Sequence, residues 1–133
     1  MLAIIEQRKL AAGTVNVIAL LGTEMETKLP RQAVDVALLV DAYHEFSYPR
    51  EMSIVRSLKA GGRVIQVEYR AKAPDVPIKR LHKMSVDQAR KEMAAVGLVW
   101  KESSLFSPSS ILLVYEKTPI GGRAVFRICQ VGI

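Results

Sequence analysis

Hydrophobic positions in this chain come in short runs separated by polar stretches that carry glycine or proline. Residues 1–11 (MLAIIEQRKLA) mix apolar and charged positions as an amphipathic helix does, and Gly13 is a plausible stop. Val15 to Leu21 (VNVIALL) is a compact apolar run between Gly13 and Gly22 and predicts a strand. Thr23 to Arg31 is a polar connection containing Pro30. Val34 to Val40 (VDVALLV) is almost continuously aliphatic, the pattern of a strand covered on both faces. Met52, Val55 and Leu58 recur at three-residue spacing and predict a helix over Glu51 to Lys59, with Pro49 at its start and Gly61-Gly62 ending it.

Arg63 to Tyr69 (RVIQVEY) predicts the next strand, and Ala71 to Pro77, with Pro74 and Pro77, a loop. Ser85 is a good N-cap for a helix over Val86 to Val96, closed by Gly97, with Ala89, Met93 and Val96 on its core face. Leu98 to Ser103 and Ile111 to Glu116 read as two strands around Ser107-Pro108-Ser109-Ser110, a link short enough for an antiparallel hairpin. Trp100 and Met93 are expected in the core. Thr118 to Ile133 is expected to be a tail or an added edge strand. Alternation of helix and strand signals over residues 1–117 argues for one α/β domain.

Three passages carry a resemblance: LVDAYHEF (Leu39 to Phe46), LKAGGRVIQVEY (Leu58 to Tyr69), and VEYRAKAPDVPIKRLHKM followed by a helix. Together they resemble a class I S-adenosylmethionine (SAM)-dependent methyltransferase from the end of its fourth strand into its fifth and beyond. The resemblance implies a truncated Rossmann-like methyltransferase sheet, mostly parallel with a C-terminal antiparallel hairpin. The family's Gly-rich first strand-to-helix turn, which holds much of the cofactor, and its second strand have no counterpart here. The chain thus looks like the family's C-terminal portion, started late. In the complete fold the first strand lies beside the fourth. Without it, Val34 to Val40 would present an unpaired apolar edge, and such edges recruit other chains. Val15 to Leu21 could slide in to pair with it; otherwise a homodimer through this edge is expected.

The resemblance also implies a site at the carboxyl ends of the strands. Gly22, Thr23 and Glu24 would flank the adenine of SAM. Asp41 and Ala42 would lie toward its methionine end, with Asp41 near the transferred methyl. His44, whose intrinsic pKa is near neutrality, is a candidate general base. Tyr43, Glu68, Tyr69 and His82 would form a wall for a small-molecule substrate. Glu68 with a histidine could in principle bind metal, but no ligand spacing demands one. An ordinary solvated loop at 22–24, and a His44 that merely caps or pairs, remain open readings. The implied activity is methyl transfer to an unidentified small molecule, with SAM binding by this chain alone expected to be weak or absent. The alternative is a non-catalytic, homo-oligomeric interaction module.

Composition narrows these readings only a little. The chain has 133 residues, of which 50% are hydrophobic and 24% charged, so it is globular rather than disordered. No apolar run approaches a membrane span in length, and no membrane association is expected. The single cysteine, Cys129, cannot form an internal disulfide, and a reducing cytoplasm is the simplest setting. The net charge of +6 is spread along the chain, with one concentration at Lys79-Arg80 and His82-Lys83. No aromatic residues interleave with it as base-stacking would require, so nucleic acid is not an expected partner.

Overall fold

The computed structural model describes residues 2–46, 48–70 and 85–119, with the backbone alone at 48–50. Among these residues three helices and four strands follow in chain order: α1 (Leu2–Ala12), β1 (Val34–Val40), α2 (Tyr48–Ser57), β2 (Leu58–Tyr69), α3 (Val86–Ala95), β3 (Leu98–Leu105) and β4 (Ser110–Lys117). A single 3-10 turn, Tyr43–Glu45, sits between β1 and α2. The strands form one sheet in the order β1-β2-β4-β3. β1 and β2 are parallel, whereas β2 with β4 and β4 with β3 are antiparallel. The expected C-terminal hairpin is therefore present, and it docks back against β2.

One face of this sheet carries the core. Val64 of β2, Leu113 and Tyr115 of β4 and Leu98 of β3 pack with Ile54 and Leu58, with Ala89, Met93 and Val96 from α3 and its C-terminal end, and with Tyr43. Ala37 and Leu39 of β1 lean on the same cluster. Ser85 caps α3 as the sequence predicts, its side chain accepting a hydrogen bond from the Gln88 N–H. Gly97, at φ +84, allows the chain to reverse into β3.

Three sequence expectations are corrected. No strand forms over Val15–Leu21; Val15 is 94% and Ile18 87% exposed. An apolar run makes a strand only where a ladder partner accepts its backbone, and β1 does not take it. In consequence β1 is covered on one face, not two: Val36, Leu38 and Val40 are 51%, 61% and 56% exposed. The parallel part of the sheet is the β1–β2 pair.

Gly61-Gly62 does not end α2. The helix stops at Ser57, and the two glycines lie inside β2. Val34 pairs with Leu58, yet Val36 pairs with Arg63, so extra residues of β2 are accommodated between those two register points. Gly61 takes φ +73 there, and a Cβ on Gly62 would sit 2.9 Å from the Lys59 carbonyl oxygen and 3.1 Å from that of Val34. Trp100 is the third correction. It lies 38% exposed rather than in the core, with the Arg90 guanidinium 4.2 Å from its ring centroid.

A one-sided core makes two truncations unequal. Leu58→Ala empties a fully buried position and is expected to lower the unfolding free energy by about 2–5 kcal/mol. Trp100→Ala removes an exposed ring and one cation–π contact, with an expected cost of about 1 kcal/mol or less. Urea titration followed by circular dichroism measures both, and equal losses would contradict the placement of Trp100.

Candidate functional site

Parallel pairing puts the carboxyl ends of β1 and β2 side by side, with Val40 opposite Val67. Asp41 continues that ladder by donating its N–H to the Val67 carbonyl at 2.8 Å, then turns the chain with φ +48. That left-handed conformation is unusual for a residue with a side chain, though aspartate tolerates it better than most. The turn delivers Ala42, Tyr43 and His44 directly over Glu68, the next residue along β2.

Glu68 is buried in the protein, its side chain at 0% exposure. A carboxylate taken out of water needs donors on its oxygens. Oε1 accepts the Ala42 N–H at 3.2 Å and the Tyr43 N–H at 2.9 Å, and Oε2 lies 3.0 Å from His44 Nδ1. An ionised carboxylate can only accept, so this contact selects the tautomer or ion with a proton on Nδ1. The ring is thereby oriented with Nε2 pointing away from Glu68, 3.7 Å from a Glu45 carboxylate oxygen. Asp41 Oδ1 lies 3.9 Å from His44 Nδ1.

Asp41, His44 and Glu68 each offer one ligand atom within 4.8 Å of the others, a set that could hold a divalent cation. Ligation through Nδ1 and Oε2 would require their mutual hydrogen bond to be given up. As it stands, the hydrogen bond within the cluster is that between His44 Nδ1 and Glu68 Oε2, and its evident result is a fixed imidazole.

Tyr43 reaches in the other direction. It is 1% exposed, packs edge-on against Phe46 with centroids 6.1 Å apart, and donates its hydroxyl to Glu92 Oε2 of α3 at 2.9 Å. Glu51 of α2 lines the same cleft, and Gln88 donates to the second oxygen of Glu92 at 2.9 Å. Burial, then the neighbouring Glu51 and Glu92, push the Tyr43 phenol far above its ordinary range. Burial also raises the Glu51 carboxyl from its ordinary 4.5; Glu92 adds to the rise and the Tyr43 hydrogen bond opposes it. Tyr43, His44, Phe46, Glu51, Gln88, Glu92 and Ala95 line a cleft of about 690 Å³, including its open mouth.

Among the residues singled out from sequence, Asp41, Ala42, Tyr43, His44 and Glu68 thus come together. Glu68 is not part of an exposed wall, because both its oxygens are engaged by the β1 turn. Tyr69 is half-buried and follows it on the opposite side of the strand. Gly22, Thr23 and Glu24 belong to a tight turn of their own: Thr23 donates its N–H to the Glu26 carbonyl at 2.7 Å, and its hydroxyl accepts from Met25 and Glu26. A Cβ on Gly22 would meet the Glu26 carbonyl oxygen at 2.9 Å. Thr27 fastens this segment to Ser53 of α2. His82 and Cys129, like the tail beyond Pro119, lie outside the described residues. Glu51, Gln88 and Glu92 were not singled out from sequence; the available signal was the four-residue spacing of Gln88 and Glu92, which places them on one helix face.

No family model and no curated protein matches the chain, but solved structures do. A SAM-dependent methyltransferase from Aquifex aeolicus superposes with a TM-score of 0.77 at 15% identity, over 84% of this chain and 60% of that one. A putative type 11 methyltransferase from Sulfolobus solfataricus gives 0.66 at 17% identity, over 89% and 67%. The [4+2]-cyclase SpnF gives 0.73 at 16%, over 87% and 62%. The chain has part of the class I methyltransferase fold, and it spans 60% to 67% of the length of these neighbours.

Two predictions follow from the site. Glu68→Ala strips the acceptor from two backbone N–H groups and from His44, and is expected to destabilise the protein by about 3 kcal/mol or more. Long-range nitrogen NMR of the parent chain should find the His44 proton on Nδ1; an Nε2–H tautomer would contradict the Glu68 contact.

The raised Glu51 gives a pH signature. Between its ordinary value and its higher folded value, the folded state binds more protons than the unfolded state, so stability falls as pH rises. Glu51→Gln should therefore melt above the parent at pH 7, with the difference shrinking as pH falls toward about 4.5 and gone below it. Tyr43, His44 and Glu92 share the cleft, so the melting curves are compared with those of Glu92→Gln. A parent that loses stability only on acidification would contradict the sign for Glu51.

Proposed function

We propose that this chain forms the substrate-side part of a SAM-dependent methyltransferase-like protein, whose acceptor is a small molecule. The observation that carries the reading is the imidazole of His44, held by buried Glu68 at the carboxyl ends of two parallel strands in a methyltransferase-type sheet. Ligands bind open α/β sheets at that end. His44 would take the proton released by the acceptor as it is methylated, and Glu68 would position it. Asp41 and Ala42 would face the methionine end of the cofactor, and the Gly22-Thr23-Glu24 turn its adenine. Methyl transfer to an aligned nucleophile needs little further acid–base help, because SAM arrives already activated.

The described residues fit SAM only in part. Among the described residues β1 is the outermost strand of the sheet, and no described strand lies on the outer side of Asp41 and Ala42. The Thr23 hydroxyl already serves its own turn. Weak or absent SAM binding by this chain alone is the expectation. The same partial fit supports a second reading: a non-catalytic module that pairs with a second copy through β1, where Val36, Leu38 and Val40 lie exposed beside the free edge. The cyclase among the neighbours is consistent with a fold that is not bound to one chemistry. A single cysteine and the lack of a membrane-length helix among the described residues are compatible with a cytoplasmic setting.

Isothermal titration with SAM and S-adenosylhomocysteine, after light scattering has given the mass in solution, separates these readings. Saturable binding supports the methyltransferase reading and overturns the expected weakness. A folded dimer that binds neither ligand supports the interaction module. A folded monomer that binds neither would remove both the edge-paired dimer and a working cofactor site.

A further inference from the structure

The turn after β1 gathers an imidazole and two carboxylates at one point. Asp41, His44 and Glu68 each present one donor atom within 4.8 Å of the others. His44 Nδ1 stands 3.0 Å from Glu68 Oε2 and 3.9 Å from Asp41 Oδ1. Ligand atoms on a tetrahedral ion with bonds of about 2.1 Å lie about 3.4 Å apart, so these two separations bracket the spacing an ion needs. Two of the three groups are built into the protein: the His44 and Glu68 side chains are 7% and 0% exposed. The Asp41 side chain, 48% exposed, stands on the solvent side and is free of the packing that would stop it moving closer.

The groups around the two buried side chains are those that metal ligands require. A ligating carboxylate is itself held by hydrogen bonds. Glu68 Oε1 accepts the Ala42 and Tyr43 N–H groups at 3.2 and 2.9 Å, an anchor that stays in place while Oε2 ligates. A ligating histidine turns its other ring nitrogen to a carboxylate or carbonyl. His44 Nε2 lies 3.7 Å from a Glu45 carboxylate oxygen, on the far side of the ring from Glu68. Charge agrees with geometry: two ionised carboxylates and a neutral imidazole carry the two negative charges that a divalent ion balances. An imidazole in the set favours an ion such as Zn²⁺ over Mg²⁺ or Ca²⁺, which take oxygen ligands.

We propose that Asp41, His44 Nδ1 and Glu68 Oε2 form a binding site for a divalent transition-metal ion of the Zn²⁺ kind, and that the ion takes the place of the proton shared by His44 and Glu68. Nδ1 gives up that proton and bonds to the ion through the lone pair so released. The imidazole stays neutral by gaining a proton from water on Nε2, where Glu45 faces it. No electron is transferred. Without the ion, Nδ1 carries the proton and Nε2 the lone pair; with it, the two nitrogens exchange roles. Where the methyltransferase reading holds, the ion therefore removes His44 as a proton acceptor. That consequence rests on the methyltransferase reading, whereas ion binding and the change of tautomer do not.

Zn²⁺ alone is the probe, titrated into the full chain without SAM. Cys129 and His82 can also take zinc, so the readout is His44 itself, followed by long-range nitrogen NMR. A saturable response is expected, with the proton found on Nδ1 before the addition and on Nε2 after it. Mg²⁺ at the same concentrations should leave His44 unchanged. Asp41→Asn keeps a residue type that tolerates the left-handed turn and should weaken the His44 response to zinc by about tenfold or more. Cys129→Ser should respond as the parent does. Circular dichroism checks the fold of both variants, and the tautomer measurement on the parent needs neither. A His44 proton that stays on Nδ1 in excess zinc, one already on Nε2 before zinc is added, an equal response to Mg²⁺, or an undiminished response in Asp41→Asn would each overturn the proposal. Titration with S-adenosylhomocysteine reports separately on the methyltransferase reading, so the two can fail independently.

Discussion

The buried carboxylate of Glu68 is the constraint on which this end of the molecule depends. A charged group without solvent must be met by donors, and the chain meets it by folding the exit of β1 over the end of β2. Two backbone N–H groups and one imidazole converge on it. The unusual backbone of Asp41 follows from this demand: with φ at +48 the chain turns sharply enough to bring the next residues back over the neighbouring strand. Strain at one residue is tolerable where several hydrogen bonds to a buried charge hold it.

Tyr43 carries that constraint outward. Its backbone is held by Glu68, its ring belongs to the core, and its hydroxyl reaches Glu92 on α3. One residue thus fixes the oriented imidazole on one side and the paired carboxylates on the other. Moving the turn would shift His44 and the cleft together, so the two share one geometric support.

The helices that had caps were readable in the sequence, and so was the hairpin. Ser85 and Gly97 delimit α3 because a side-chain acceptor and a left-handed residue answer local backbone needs. β1 and the second half of β2 were readable because their aliphatic runs pair with each other. Val15 to Leu21 misled for the complementary reason: its pattern is that of a strand, but strand formation is settled by a partner elsewhere in the chain. Gly61-Gly62 misled because a glycine pair marks a place where backbone must pass close to backbone, and an irregularity within a strand meets that description as well as a helix end does. Trp100 depended on which face of β3 was covered, and its side chain found Arg90 instead of a core.

The site was readable at the turn and hidden at the helices, and the difference is one of distance along the chain. Asp41 to His44 are contiguous at the end of an apolar strand, where chemistry collects in open sheets. Glu51 and Glu92 are far apart in sequence, and each alone has the look of a solvated helix residue. Their meaning comes only from meeting over Tyr43, a meeting that needs the parallel β1–β2 pair, the hairpin that returns β4 to β2, and the packing of α3 against both. Folding that brings like charges together costs stability. Here the cost lies beside an oriented histidine, in a cleft open to solvent.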